Sequence, residues 1–84
     1  MKFYYTYVLR SLKDDNHYTG YTSNLRERLK QHNDGEVRST QHRRPLELVY
    51  FEACRCMNDA LHREKYLKTA YGKRYLKNRI KNDE

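Results

Sequence analysis

The sequence is poor in the residues that define several classes of protein. It has two cysteines, three glycines, one proline and no tryptophan. Cys54 and Cys56 are separated by one residue, which is too short a spacing for an ordinary disulfide and offers too few ligands for a four-ligand zinc site, so we expect free thiols. The chain shows no repeat, no low-complexity segment, no signal peptide and no apolar run long enough to cross a bilayer. These absences predict a soluble cytoplasmic protein without membrane association.

Positive charge and tyrosine are what the chain has in excess. It carries 18 Lys and Arg against 11 Asp and Glu, a net charge of +7 at pH 7 on 84 residues. That length predicts a single domain, residues 1–84, with a modest core. So high a charge on a small surface favours an anionic partner, with nucleic acid as the leading candidate. The nine tyrosines and two phenylalanines supply rings that fill a small core or stack on bases, and we expect most of them in the core.

Apolar alternation predicts a β-hairpin at the start of the chain. Residues 3–9 are rich in aromatic and branched side chains that alternate between two faces. After a polar turn at residues 13–16, residues 17–21 are expected to form a second strand that pairs back on the first. This hairpin places Tyr7 and Tyr18 opposite each other.

The rest of the chain predicts three helices and one more strand. The first helix starts at a cap on Ser23 or Asn24 and ends before Gly35, and the third strand covers residues 46–52. The remaining boundaries are a second helix capped by Asn58 or Asp59, its end or bend at Gly72, and a last basic helix over residues 73–81, after which residues 82–84 are expected to fray. Together these elements predict an α+β domain in the order β-β-α-β-α-α, with a three-stranded antiparallel sheet flanked by helices.

Two charged residues lie where the helical patterns require core residues. The apolar stripe of the first helix also includes Arg28 and His32 at helical spacing. Glu64 lies on the predicted buried side of the second helix. That side consists of Met57, Ala60, Leu61, Leu67 and Tyr71. The element order lets these polar groups converge on Tyr7 and Tyr18, although a structural ion pair between Arg28 and Glu64 accounts for the two charges equally well.

The combination resembles the GIY-YIG nucleases, specifically their small single-domain bacterial members. The first family motif corresponds to Tyr5-Thr6-Tyr7 and the second to Tyr18-Thr19-Gly20. Only the last tyrosine of the first motif and the first tyrosine and glycine of the second are kept. The resemblance covers about residues 3–76, and its closest part is the segment STQHRRPLELVY at residues 39–50.

The resemblance implies a Mg²⁺- or Mn²⁺-dependent DNA endonuclease, a hydrolase without a small-molecule cofactor. The family's helix arginine and nearby histidine fall on Arg28 and His32, and its metal-binding glutamate falls on Glu64. Arg28 would bind the scissile phosphate, and Tyr7 is the first choice as general base, with Tyr18 orienting water or substrate. Positive charge from Arg28, the metal and a protonated His32 would lower the pKa of the phenol. In-line attack by water would leave a 5′-phosphate and a 3′-hydroxyl, with no covalent intermediate.

Purely structural roles for these residues remain open. Taken singly, Tyr7 and Tyr18 fit a role as packing residues, and His32 fits a cationic ring at a helix C-terminus. Residues of the loop before the third strand are expected to bind nucleic acid together with Arg28, although they also fit a role as solvated surface charge. These loop residues are Ser39, Thr40, Arg43 and Arg44.

The expected substrate is single-stranded or branched DNA, in DNA repair or recombination, because the chain has no separate recognition element. RNA and a protein partner remain open. Two rival functions are a non-catalytic nucleic-acid-binding module and an accessory protein of a repair enzyme.

Overall fold

The computed structural model describes residues 1–81 and contains a three-stranded antiparallel sheet and three helices in the order β-β-α-β-α-α. The elements are β1 (Tyr4–Ser11), β2 (His17–Thr22), α1 (Leu25–Asn33), β3 (Leu46–Cys54), α2 (Met57–Leu67) and α3 (Ala70–Arg79). The predicted α+β class and element order are confirmed, whereas residues 82–84, which we expected to fray, lie outside the described residues. Within residues 1–81, no helix has the length and apolar character needed to span a bilayer.

Strand β1 occupies the centre of the sheet, between β2 and β3, and separates two small cores. Its side chains alternate between the two faces. Tyr7 and Leu9 pack beneath α1 on one face. On the other face Val8 packs with Leu67 of α2 and Leu76 of α3. Helix α1 therefore lies on one face of the sheet and α2 and α3 on the other, so that side chains from α1 and α2 can meet only at a sheet edge.

The local signals around α1 act as predicted. The Asn24 side chain accepts a hydrogen bond from the backbone N–H of Glu27 at 3.1 Å and caps the helix. Gly35 follows the C-cap with φ of +81°, a left-handed conformation that glycine adopts without a steric penalty. On the other face, the Thr6 hydroxyl donates to the Ala60 carbonyl at 3.0 Å and ties α2 to the central strand.

The predicted start and buried side of α2 are partly wrong. The N-cap is Cys56, so the helix begins at Met57 rather than after Asn58 or Asp59. Met57 is 47% exposed and Tyr71 is 69% exposed. Tyr71 belongs to α3, because α2 ends at Leu67 and a short turn changes the direction of the chain. The helical spacing that grouped Tyr71 with α2 therefore does not apply. Cys54 and Cys56 are both free thiols, as predicted.

Gly72 neither ends nor bends α2, which corrects a second prediction. It is the third residue of α3, and its N–H donates at 3.2 Å to the hydroxyl of the N-cap residue Thr69. A Cβ at Gly72 would overlap the Tyr66 carbonyl oxygen and would lie 2.8 Å from the carbonyl carbon of Leu67. Glycine is needed here because α3 starts in close contact with the end of α2, and a sequence pattern does not distinguish that role from chain termination.

Candidate active site

Tyr7 is the centre of the candidate site. Its side chain is 1% exposed, and its ring lies across Gly20 of β2, its partner in the strand register. Tyr18 pairs with Leu9 and is thus the diagonal neighbour of Tyr7 on the same face. The predicted direct opposition of the two tyrosines is wrong, because β1 continues two residues beyond its predicted end, to Ser11. Their rings still pack together, with centroids 6.5 Å apart.

Helix α1 delivers two polar side chains to the Tyr7 hydroxyl. His32 Nε2 lies 2.8 Å from this oxygen, and Arg28 Nε donates to it at 3.3 Å. The two helix residues are four positions apart and therefore project from the same side of α1. A second nitrogen of Arg28 donates to the Gln31 side chain at 3.1 Å, which holds the guanidinium in place.

His32 is fully buried and is held from behind by Thr40. His32 Nδ1 lies 2.7 Å from the Thr40 hydroxyl, which is itself 3.4 Å from the Val37 carbonyl oxygen. Burial, assisted by the positive charge of Arg28, lowers the pKa of His32 from 6.5 to about 4. The expectation of a protonated His32 is therefore wrong. A neutral imidazole at pH 7 uses one nitrogen as donor and the other as acceptor.

The Tyr7 phenol is also held in its neutral form. Burial raises its pKa above 10, and the nearby charges of Tyr18 and Glu64 act in the same direction. The hydrogen bond and positive charge of Arg28 oppose this shift without cancelling it. The expectation that Arg28 brings the phenol towards neutral pH is not met by the protein alone, since desolvation is the larger effect.

Glu64 reaches the same region from the opposite layer of the fold. Its carboxylate pairs with Lys68 at 3.0 Å, and 20% of its side chain is exposed. The negative charge of Glu64 helps to raise the pKa of Tyr7, as the smallest of the contributions, so the carboxylate lies within electrostatic range of the phenol. The observed partner of Glu64 is Lys68, whereas Arg28 binds Tyr7 and Gln31. The alternative prediction, a structural ion pair between Arg28 and Glu64, is therefore wrong.

The candidate site has one carboxylate, that of Glu64, that could bind a divalent cation. No group of three or more His, Cys, Asp or Glu side chains within residues 1–81 is placed to hold a metal. Mg²⁺ usually keeps several waters and binds through one or two carboxylates plus substrate phosphates. Glu64 is partly exposed and fits such a hydrated ion, and its Lys68 partner would have to release the carboxylate oxygen.

The loop between α1 and β3 supports the site more than it offers contacts to a partner. Thr40 is fully buried against His32, so its predicted contact with nucleic acid is wrong. Arg43 anchors the loop to the hairpin, with Nε 3.5 Å from the Asp14 carboxylate and another nitrogen 3.4 Å from the His17 carbonyl oxygen. Ser39 and Arg44 are exposed and remain available to a ligand.

Sequence reasoning missed three supporting residues. Gln31 lies three positions after Arg28, a spacing at which helix side chains meet. Lys68 stands in the same way four positions after Glu64. Gly20 was recognised only as a motif glycine, and its role in accommodating the Tyr7 ring has no local signal because the two residues are on different strands.

The fold and the polar cluster define a small α+β domain of the GIY-YIG type. A sheet of order β2-β1-β3 carries the central tyrosine, one helix adds an arginine and a histidine, and the next helix supplies a glutamate.

The chain belongs to the GIY-YIG family, since the GIY-YIG catalytic domain matches residues 3–80. It is 45% identical over 65 residues to the UPF0213 protein CPE1444 of Clostridium perfringens, covering 76% of this chain and 69% of that one. It is 39% identical to the UPF0213 protein SH2523 of Staphylococcus haemolyticus, covering 88% and 90%. The solution NMR structure of the UPF0213 protein BH0048 from Bacillus halodurans superimposes with a TM-score of 0.54 at 32% identity, covering 88% of this chain and 81% of that chain. The resemblance to small bacterial members is confirmed, and membership places the chain in a nuclease superfamily.

Proposed function

We propose that this protein is a Mg²⁺- or Mn²⁺-dependent endonuclease that hydrolyses phosphodiester bonds of DNA at the edge of β2. The observation that carries the proposal is the Tyr7 hydroxyl, which is shared by His32 and Arg28 and lies within the electrostatic influence of Glu64. Family membership supports a phosphodiester substrate. The net charge of +7 supports binding of a polyanion.

Arg28 is the proposed phosphate ligand. Its guanidinium has five N–H donors, of which the Tyr7 and Gln31 contacts use two. The remaining donors can bind phosphate oxygens in the bidentate geometry that a guanidinium favours. The same residue would stabilise the charge that develops on the phosphate in the transition state.

Tyr7 is the proposed general base, and its hydrogen bonds determine how it can act. The Thr40 hydroxyl donates its one proton to the Val37 carbonyl oxygen at 3.4 Å, so it accepts from His32 Nδ1–H at 2.7 Å. We therefore assign His32 Nε2 as the acceptor of the Tyr7 hydroxyl proton, which orients the phenol. The Tyr7 oxygen accepts a hydrogen bond from Arg28, and this bond favours the ionised form of the phenol.

The ionised Tyr7 would take a proton from the attacking water, and the products would carry a 5′-phosphate and a 3′-hydroxyl. Tyr18 packs against both Tyr7 and His32 and would orient the substrate. A divalent cation held by Glu64 would supply the positive charge that lowers the pKa of the phenol and neutralises the phosphate. We further propose a cytoplasmic role in DNA repair or recombination on single-stranded or branched DNA, with Ser39 and Arg44 as additional contacts.

Exchange of Glu64 tests the function directly. The variant Glu64→Gln should lose Mg²⁺-dependent cleavage of labelled DNA while it binds DNA almost as well as the unmodified chain. Glu47→Gln is the matched control, because it makes the same charge change and also breaks an exposed 3.0 Å ion pair, with Arg10. Full cleavage by Glu64→Gln would refute the site.

The unmodified chain separates the rival functions on a panel of single-stranded, duplex, flap and branched substrates with Mg²⁺ or Mn²⁺. Salt-sensitive binding without cleavage would indicate a binding module. Neither binding nor cleavage would indicate an accessory protein.

A further inference from the structure

A groove of about 970 Å³ runs along β2 on the side of the sheet that α2 and α3 cover. Strand β2 is an edge strand of the sheet, so one side of it faces this groove rather than another strand. Leu67 and Leu76, which belong to the second core, and Ile80 form an apolar part of its lining. The opposite wall is the lysine-bearing side of α3.

The charge along the groove is strongly positive. Four lysines line it, and Asp15 is the one acidic side chain among the described residues of its lining. Lys68 is paired with Glu64, and Asp15 is paired with Arg10 at 3.5 Å. The other three lysines form the row that we name the α3 lysine row. It consists of Lys73, Lys77 and Lys81, all exposed.

The α3 lysine row has a regular spacing. Lys73 and Lys77 are one turn apart on α3, which corresponds to about 6 Å along the helix axis. Lys81 follows the C-cap residue Ile80 and continues the row at the groove wall. This spacing is close to that of consecutive phosphates along a nucleic acid strand. Three successive phosphates could therefore each meet one lysine.

Two residues link the groove to the candidate active site. Tyr18 lines the groove, and its ring also packs on His32 at 5.2 Å between centroids. Lys68 lines the groove and holds the Glu64 carboxylate. A strand that follows the lysine row would therefore lead to the phenol and the carboxylate.

We propose that this groove binds one strand of the nucleic acid substrate, with each member of the α3 lysine row contacting one phosphate on one side of the cleaved bond. The inference rests on the proposed function for its ligand and adds the path of that ligand across the protein. The apolar lining gives the sugars and base faces a surface to contact, while the lysines neutralise the backbone. An acidic peptide carries the same sign of charge, but it has no phosphodiester group for the candidate active site to bind.

Salt-dependent binding in EDTA tests the groove independently of cleavage. Binding of a fluorescent single-stranded oligonucleotide is measured by anisotropy over a range of KCl concentrations. Each phosphate contact on a single strand contributes about 0.7 to the slope of log K against log salt concentration. The variant Lys73→Ala/Lys77→Ala/Lys81→Ala should therefore lower the slope by about 2. The matched control Lys2→Ala/Arg55→Ala/Arg74→Ala removes the same charge from exposed positions outside the groove, one of them on α3, and should lower it much less.

The outcomes separate this inference from the proposed function. An unchanged slope, or an equal loss in the control, would overturn the groove while leaving nuclease activity in place. A smaller salt-dependence slope in the triple lysine variant, together with no cleavage by the unmodified chain, would support the groove and refute the nuclease function. Displacement of the oligonucleotide by polyglutamate at equal affinity would overturn the assignment to nucleic acid, and failure of the unmodified chain to bind would overturn both proposals.

Discussion

Replacement of Gly20 by alanine should destabilise the protein, although the backbone alone predicts the reverse. The conformation of Gly20 lies outside the left-handed region, and alanine in a strand is favoured over glycine by about 0.5–1 kcal/mol. A Cβ at this position would, however, overlap the Tyr7 hydroxyl and lie 2.5 Å from Cζ and 3.0 Å from Cε2 of the same ring. The ring would have to move and would lose its hydrogen bonds to His32 and Arg28. We expect a net loss of about 1–3 kcal/mol from overpacking and the broken hydrogen bonds.

Urea denaturation of Gly20→Ala measures this loss, and a double-mutant cycle with Tyr7→Ala identifies its cause. In the Tyr7→Ala background the obstructing ring is absent, so the added methyl group should become neutral or stabilising. Cleavage by Gly20→Ala should fall by about 100-fold, the typical effect of a displacement of about 1 Å in a catalytic group. A Gly20→Ala protein as stable and active as the original would refute the proposed packing of Tyr7. So would an equal loss of stability in both backgrounds.

Three further predictions concern the hydrogen-bond chain behind the phenol. Tyr7→Phe should reduce cleavage by about 10²–10⁴-fold with little change in DNA affinity, since Tyr7 is almost fully buried; a loss confined to binding would contradict its role as base. The pKa of His32 is about 4 in the folded protein and 6.5 in the unfolded chain, so the unfolded chain binds the proton first as the pH falls. The free energy of unfolding should therefore decrease by about 3 kcal/mol between pH 6.5 and pH 4. Denaturant titrations of His32→Gln should show this pH dependence removed, and an unchanged dependence would count against the assignment. Thr40→Val should lower kcat by about 10-fold through the loss of one hydrogen bond, whereas Thr40→Ser keeps the hydroxyl and should keep kcat near that of the unmodified chain. Equal activity of both variants would exclude Thr40 as a positioning residue.

The order of elements was predictable because local patterns determine it. The alternation in β1, the Asn24 cap and the left-handed Gly35 each depend on neighbouring residues and need no knowledge of the tertiary structure. Apart from the start of α2, the errors in the fold concern contacts between distant segments. The packing role of Gly72 depends on how α2 meets α3, and the register of Tyr7 with Gly20 depends on where the hairpin turns.

The sequence predicted that Arg28 and His32 converge on Tyr7, as the structure shows, but it did not predict the charge state of His32. Arg28 and Glu64 stood out because each interrupts an apolar pattern. The charge state of His32 depends on complete desolvation and on a neighbouring guanidinium, neither of which a linear pattern encodes. Thr40 was wrongly predicted to contact nucleic acid, because a hydroxyl in a polar loop gives no sign in the sequence that it is buried.

The separation of α1 and α2 by the sheet makes the site sensitive to a rigid-body shift between the two layers. Arg28 and His32 travel with one layer and Glu64 with the other, while the Thr6–Ala60 hydrogen bond links the central strand to α2. A small sliding of α2 would withdraw the carboxylate without breaking a single strand-to-strand hydrogen bond. The proposed cleavage activity should therefore decline before global unfolding, as soon as the docking of that helix loosens.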